Sequence, residues 1–236
     1  MTRKENKALL TDYHSHILPG IDDGSRNVEM SLGMIEILSS QGVERIAATP
    51  HFYAHRENGV SAFLKKRDYA YQKLMQAQPA VSNIILGAEI SIEQGISELA
   101  DIEKLAYEGT NYILLEFPYT GFSDWMCDEI DNIAYNYDLV PVIAHLHRYL
   151  NDYSKSQIEK ILSLNAVFQF NIEAFEFHFT RKFIKSIINS GSDFVFGSDC
   201  HNLKERKPNF DLLLKKAKPE WITQSNQLLD SDARQY

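Results

Sequence analysis

Apolar residues along the chain follow two alternating patterns. Short dense runs of strand type are separated by longer stretches in which apolar residues recur at three- and four-residue intervals, one face of a helix. The first run carries Leu9 and Leu10 into Asp-Tyr-His-Ser-His, the end of an opening strand. Residues 28–40 then place Met30, Met34, Ile35 and Leu38 on one helical face, and Gly42 ends that helix. Residues 45–49 form a second strand that runs into Pro50-His51. Residues 60–78 read as a helix ending before Pro79, residues 83–90 as a strand, and 96–107 as one or two helical turns.

The alternation continues to the end. Strands are expected at 111–117, 139–144, 167–172 and 193–198, with Pro141 removing one ladder donor from the second of these. Helices are expected at 122–136, 155–164, 181–190 and 210–229, the last interrupted near Pro219. The polar tail from residue 230 to 236 is expected to fray. Seven strands, each followed by helix, imply a parallel α/β sheet with helices outside. With no linker, charge block or repeat, the chain reads as one domain over residues 1–236, either a closed barrel or an open doubly wound sheet.

Composition narrows the function classes. Apolar content of 44% and charged content of 24% are ordinary for a globular protein. A net charge of −8 argues against a general nucleic-acid grip, while leaving room for a local phosphate pocket. Two cysteines, Cys127 and Cys200, make no disulfide framework and fit a reducing compartment. The N-terminus lacks the apolar segment of a signal peptide, and no run is long enough to span a membrane. The expected location is the cytoplasm.

The chemistry gathers at strand ends. His14 and His16 are two apart, so a strand aims both imidazoles at one spot, and Asp22 and Asp23 return after a Pro-Gly turn. His51 follows the second strand, Glu89 ends the third, Glu116 the fourth, and His145 the fifth; Asp199 and His201 follow the seventh. Singly, each is an ordinary loop or structural residue. In a parallel barrel, however, all strand C-termini open on one face. Imidazoles and carboxylates in this number exceed the needs of one divalent ion, so two or three ions are expected. His178 is assigned to packing or surface, and His55 and His147 to support at most.

Two arginines add a second pattern. Arg148 follows His145 by three residues and Arg206 lies after His201, where guanidinium forks could hold phosphate. Arg56 is a weaker third candidate. Cys200 and Arg206 have the count of a C-x5-R loop, but the run between them lacks the glycines of a phosphate cradle. Cys200 reads instead as a small core residue.

Taken together, DYHSHILPGIDDGS, GVERIAATPHFY, ILGAEI, LLEFP, PVIAHLHRY and FGSDCHNLKER resemble the polymerase and histidinol phosphatase (PHP) superfamily. Within it, the chain resembles the bacterial manganese-dependent protein-tyrosine phosphatases of capsule and exopolysaccharide loci. The resemblance implies a distorted (β/α)7 barrel with a trinuclear metal centre. It implies one site of His14, His16, Glu89 and Asp199, and a second of Glu89, His51, Glu116 and His145. Asp23 and His201 would serve the third, and Arg148 and Arg206 would handle phosphate.

Manganese is the expected metal, with iron, zinc, cobalt or magnesium as alternatives. The expected reaction is attack on a phosphotyrosine by hydroxide bridging two ions, and the expected partner is a bacterial tyrosine kinase. One departure stands out: the family's His-Pro-Glu-Arg is here His145-Leu146-His147-Arg148. The alternatives are a small-molecule phosphatase, such as one for histidinol phosphate, and a metal-binding scaffold without turnover. A nuclease is disfavoured by the acidic charge.

Overall fold

The computed structural model describes residues 9–119 and 121–229. The charged N-terminus and the tail expected to fray lie outside the described residues. Among these residues, nine short parallel strands carry the fold: β1 (Thr11–Ser15), β2 (Arg45–Ala48), β3 (His51–Phe52), β4 (Ile84–Leu86), β5 (Glu89–Ser91), β6 (Tyr112–Glu116), β7 (Val140–Ile143), β8 (Val167–Asn171) and β9 (Phe194–Gly197). The second and third expected strands are each split in two. Pro50, without an N–H, separates β2 from β3. Gly87 separates β4 from β5, and there a Cβ would lie 2.9 Å from the Tyr107 ring.

The pairings run round a ring. β1 pairs with β2, β2 with β4, β3 with β5, and β5 through β9 follow in sequence order. Between β9 and β1 the backbone bonds lie at the C-terminal ends. His16 donates to the Cys200 carbonyl at 3.0 Å, and Asp199 to the His14 carbonyl at 2.7 Å. Just before them, the buried Asp12 carboxylate accepts from the Ser198 backbone N–H at 2.7 Å and from its hydroxyl at 2.6 Å. Gly197 permits this close approach: a Cβ there would lie 2.6 Å from the His14 Cβ. The result is a distorted seven-stranded α/β barrel in which two strands are broken.

Among the described residues, seven α-helices surround it: α1 (Val28–Ser40), α2 (Val60–Gln76), α3 (Trp125–Tyr137), α4 (Lys155–Leu162), α5 (His178–Asn189), α6 (Phe210–Lys216) and α7 (Pro219–Asn226). Local sequence sets their starts. The Asn27 side chain caps α1, and Ser154 with Gln157 forms a capping box on α4. The larger core lies between strands and helices, with Met34, Ile35, Phe52, Phe63, Ile130 and Phe196 among its members. Tyr13, Ala47, Leu114, Val142 and Val195 form a smaller cluster, with Leu228 and Leu229 packed against it.

The segment after β9 ties the strand N-termini together. Asn226 accepts from the Thr11 N–H at 3.1 Å and from Arg45 at 3.3 Å, and the Ser225 hydroxyl accepts from the Phe196 N–H at 3.0 Å. The opposite mouth, where the strands end, is left for the site. No helix among the described residues is long and apolar enough to cross a membrane.

Candidate metal centre

The nine candidate ligands gather at one mouth: His51 and Glu89 open β3 and β5, just past the breaks that follow β2 and β4, and the others lie at the C-terminal ends of β1, β6, β7 and β9 or in the loops just beyond. Glu89 stands in the middle. Its Oε2 is 3.1 Å from His14 Nε2, 3.2 Å from His16 Nε2 and 3.1 Å from His51 Nδ1. Its Oε1 is 2.9 Å from His145 Nε2. Asp199 Oδ1 closes one side, 3.6 Å from His14 Nε2 and 3.3 Å from His16 Nε2. Glu116 closes another, 3.2 Å from His145 Nε2 and 3.9 Å from His51 Nδ1. Asp23 bridges His51 and His201, with Oδ1 3.4 Å from each Nε2.

Proton placement indicates what fits between these atoms. His14 Nδ1 faces the Gln169 side-chain oxygen at 3.1 Å, and His16 Nδ1 faces Asp22 Oδ2 at 2.7 Å. Both partners accept, because Gln169 Oε1 also takes the His145 backbone N–H and Asp22 is a carboxylate. Each ring therefore carries a proton on Nδ1. In the neutral imidazoles this leaves the two Nε2 lone pairs facing each other at 3.2 Å. His201 repeats the arrangement, with Nδ1 donating to the Asp199 carbonyl at 3.0 Å.

Buried atoms without a hydrogen-bond partner include His51 Nδ1, Glu89 Oε2, Asp199 Oδ1 and His201 Nε2. Leaving one such group bare costs about 1–3 kcal/mol, more when it is charged. Lone pairs and carboxylate oxygens gathered this closely require positive charge among them. Divalent cations fit that donor set of imidazole and carboxylate.

The side chains of the cluster polarise one another. Burial works against charge on His145, but Glu116 and Glu89 outweigh it and lift its pKa to about 9. Burial likewise opposes ionisation of Glu89 and Asp199, yet the surrounding imidazoles hold both well below the usual carboxylate range. His145 has φ of 29° and Asp199 of 51°, so two candidate ligands sit in the left-handed region, where strain concentrates at functional sites.

Both arginines reach the outer oxygen of Asp199. Arg148 Nη2 lies 2.9 Å from Asp199 Oδ2 and Arg206 Nη2 2.7 Å from it. Arg148 also donates to Glu173 Oε1 at 2.8 Å. Arg206 is half-exposed at the mouth. His147, in the departure from the family's text, is buried with Nε2 3.7 Å from Glu173. Leu146 is in the core, so the altered segment still brings Arg148 to the site. His55 pairs with Glu93 at 2.9 Å away from the cluster, and His178 is exposed at the start of α5. Cys200 is fully buried.

Three supporting residues on β8 and its loop escaped the sequence reading. Gln169 fixes His14 and His145; Asn171 donates to Asp199 Oδ2 at 2.8 Å; Glu173 holds Arg148. Their signal was available, since polar Gln169 and Asn171 alternate with Phe168 and Phe170 in an otherwise apolar strand. Asp22, adjacent to Asp23, has a separate task that the sequence does not signal: it orients His16 and accepts the His51 N–H at 3.0 Å.

Known proteins are similar over most of the chain. The family model for capsular polysaccharide synthesis, CpsB/CapC, matches residues 10–224. The tyrosine-protein phosphatase YwqE of Bacillus subtilis is 28% identical over 219 residues, covering 84% of this chain and 79% of that protein. The tyrosine-protein phosphatase CpsB of Streptococcus pneumoniae is 24% identical over 228 residues, covering 88% and 90%. Among solved structures, one from the study of these two proteins, described as unique metal-dependent tyrosine phosphatases, superposes with a TM-score of 0.75. Its sequence identity is 23%, with 94% of this chain and 95% of that chain covered. The chain belongs to the CpsB/CapC family of capsular polysaccharide synthesis.

Proposed function

We propose that this chain is a metal-dependent protein-tyrosine phosphatase. It acts in the cytoplasm, as one domain, on phosphotyrosine of a bacterial tyrosine kinase that governs capsule or exopolysaccharide synthesis. The observation that carries the reading is the set of three imidazole nitrogens around Glu89 Oε2, two of them with their protons turned away. Membership of the CpsB/CapC family and the named activities of YwqE and CpsB support the substrate.

Two or three divalent ions, manganese first, would be held as follows. His14, His16, Glu89 and Asp199 take one. Glu89 with His51, Glu116 and His145 takes a second, and Asp23 with His201 a third. Such ions supply Lewis acidity, which polarises phosphoryl oxygens and acidifies water.

The chain's own residues do the rest. Asp22 and Gln169 fix the imidazole tautomers. Arg148 and Arg206 present guanidiniums to the phosphoryl oxygens and offset the charge that develops there. Both are paired with Asp199, which draws them to the mouth. Glu173 keeps Arg148 from swinging away.

Cysteine chemistry is the rival within this mouth, because Cys200 and Arg206 have the C-x5-R count. Burial pushes the Cys200 thiol well above its usual range, with Asp12 adding to the effect, and the side chain has no access to solvent. A buried, protonated thiol is a poor nucleophile. Cys200→Ala should keep kcat within about threefold of wild type, whereas removal of a true nucleophile costs about 10³-fold or more. Steady-state kinetics on the metal-loaded variant checks this.

Substrate class is tested by turnover of a phosphotyrosine peptide against histidinol phosphate on metal-reconstituted protein. Preference for the peptide supports the reading, and preference for histidinol phosphate overturns it. Bound metal with turnover of neither substrate would make the chain a scaffold.

A further inference from the structure

The groups described so far account for the phosphoryl end of a substrate and not for what the phosphate is attached to. At the rim, two tyrosines lie against candidate ligands. The Tyr53 ring is 5.3 Å from that of His51, tilted by 31°, and the Tyr119 ring is 6.3 Å from that of His145, stacked at 18°. They differ in what remains available. The Arg56 guanidinium already lies over the Tyr53 ring, 4.4 Å from its centroid. Tyr119 keeps half of its surface, 50%, open to solvent.

The wall behind Tyr119 is packed and hydrogen-bonded. Its ring also touches that of Tyr149 at 6.2 Å, and Tyr149 is fully buried with its hydroxyl accepting the Phe117 N–H at 2.9 Å. Pro118, immediately before, is pinned through its carbonyl by the Tyr153 hydroxyl at 2.6 Å. Chain connectivity puts Tyr119 three residues beyond Glu116. The Arg148 guanidinium lies beside the Tyr119 hydroxyl. A half-exposed aromatic face thus stands next to an arginine that faces the cluster.

We propose that Tyr119 is a specificity-determining residue that packs against the aromatic ring of an aryl phosphate while Arg148 holds its phosphoryl group. The inference rests on the phosphatase reading above and extends it to the leaving group. Aromatic rings gain from offset or edge contact with one another beyond simple burial, and an alkyl phosphate cannot make that contact. Tyr119 is a positioning residue here and takes no proton.

The test uses full-length metal-reconstituted protein with two inhibitors, phenylphosphonate and inorganic phosphate. Both engage the phosphoryl subsite, and only the first brings a ring. In Tyr119→Ala the inhibition constant for phenylphosphonate should rise roughly tenfold, while that for inorganic phosphate stays within about twofold. Tyr119→Phe keeps the ring and should restore phenylphosphonate binding.

Equal changes for both inhibitors, or no change for either, would overturn the proposal. The wild-type substrate comparison keeps the two ideas apart. If wild type prefers the phosphotyrosine peptide and Tyr119→Ala leaves the inhibitor ratio unmoved, only this inference fails. If wild type prefers histidinol phosphate, the tyrosine-phosphatase reading fails and takes the inference with it.

Discussion

Replacing His16 with alanine is expected to lower kcat/KM on a phosphotyrosine peptide by about 10³-fold or more, the scale on which a bound ion contributes to phosphoryl transfer. The reason lies in how many groups His16 serves. Its Nε2 faces Glu89 Oε2 at 3.2 Å and Asp199 Oδ1 at 3.3 Å, while Nδ1 is held by Asp22 at 2.7 Å. Without the ring, the first proposed ion loses a ligand and two buried carboxylates lose a neighbour that balances them. Elemental analysis of the variant should find fewer ions per chain than in wild type. Circular dichroism checks that the barrel persists, and His16→Gln offers a variant of closer volume should alanine unfold it. Retention of wild-type turnover in a folded variant would remove His16 from the site.

Replacing Arg148 with alanine is expected to cost about 10²–10³-fold in kcat/KM, the scale of losing one preorganised donor at a developing charge. Burial works against the charge on Arg148, but Asp199 and Glu173 hold it firmly protonated. The guanidinium therefore stays cationic throughout the working pH range. Arg148→Lys should recover little, because one ammonium cannot match a planar fork that reaches Glu173, Asp199 and a phosphoryl group together. Metal content should be unchanged in both variants, which separates phosphate handling from ion binding. A loss smaller than about threefold would leave Arg148 a structural partner of Glu173 and nothing more.

The strand-end rule made much of this site legible in advance. His14 and His16 are read as a pair because strand periodicity gives them one face, and His51, Glu89, Glu116, His145 and Asp199 each end an apolar run. What could not be read was the work of neighbours. Asp22 and Asp23 are adjacent in the chain, yet one side chain is 5% exposed and turned to His16 while the other is 65% exposed and turned to His51 and His201. Only loop geometry decides between them. Gln169, Asn171 and Glu173 carry no metal-ligand signature, and their roles depend on partners more than twenty residues away in the chain.

The fold was legible in outline for a similar reason. Periodicity gives element type and order, so the seven expected strands match the ring. It does not give closure, because the seam between β9 and β1 depends on Gly197 lying against His14 and on the Asp12 carboxylate bonding Ser198. Nor did it give the breaks in two strands, which come from Pro50 and from the Tyr107 ring lying against Gly87. At the departure from the family's text, packing keeps the arginine in place: Leu146 and His147 turn inward and Arg148 reaches Asp199.

Cations are proposed to occupy the space between these imidazoles and carboxylates. Anomalous diffraction at the manganese edge, on crystals of the full chain grown with manganese, tests it most directly. One peak is expected to be enclosed by His14, His16, Glu89 and Asp199, with at least one more beside Glu116 and His145. Peaks only at the protein surface, or none among these side chains, would contradict it.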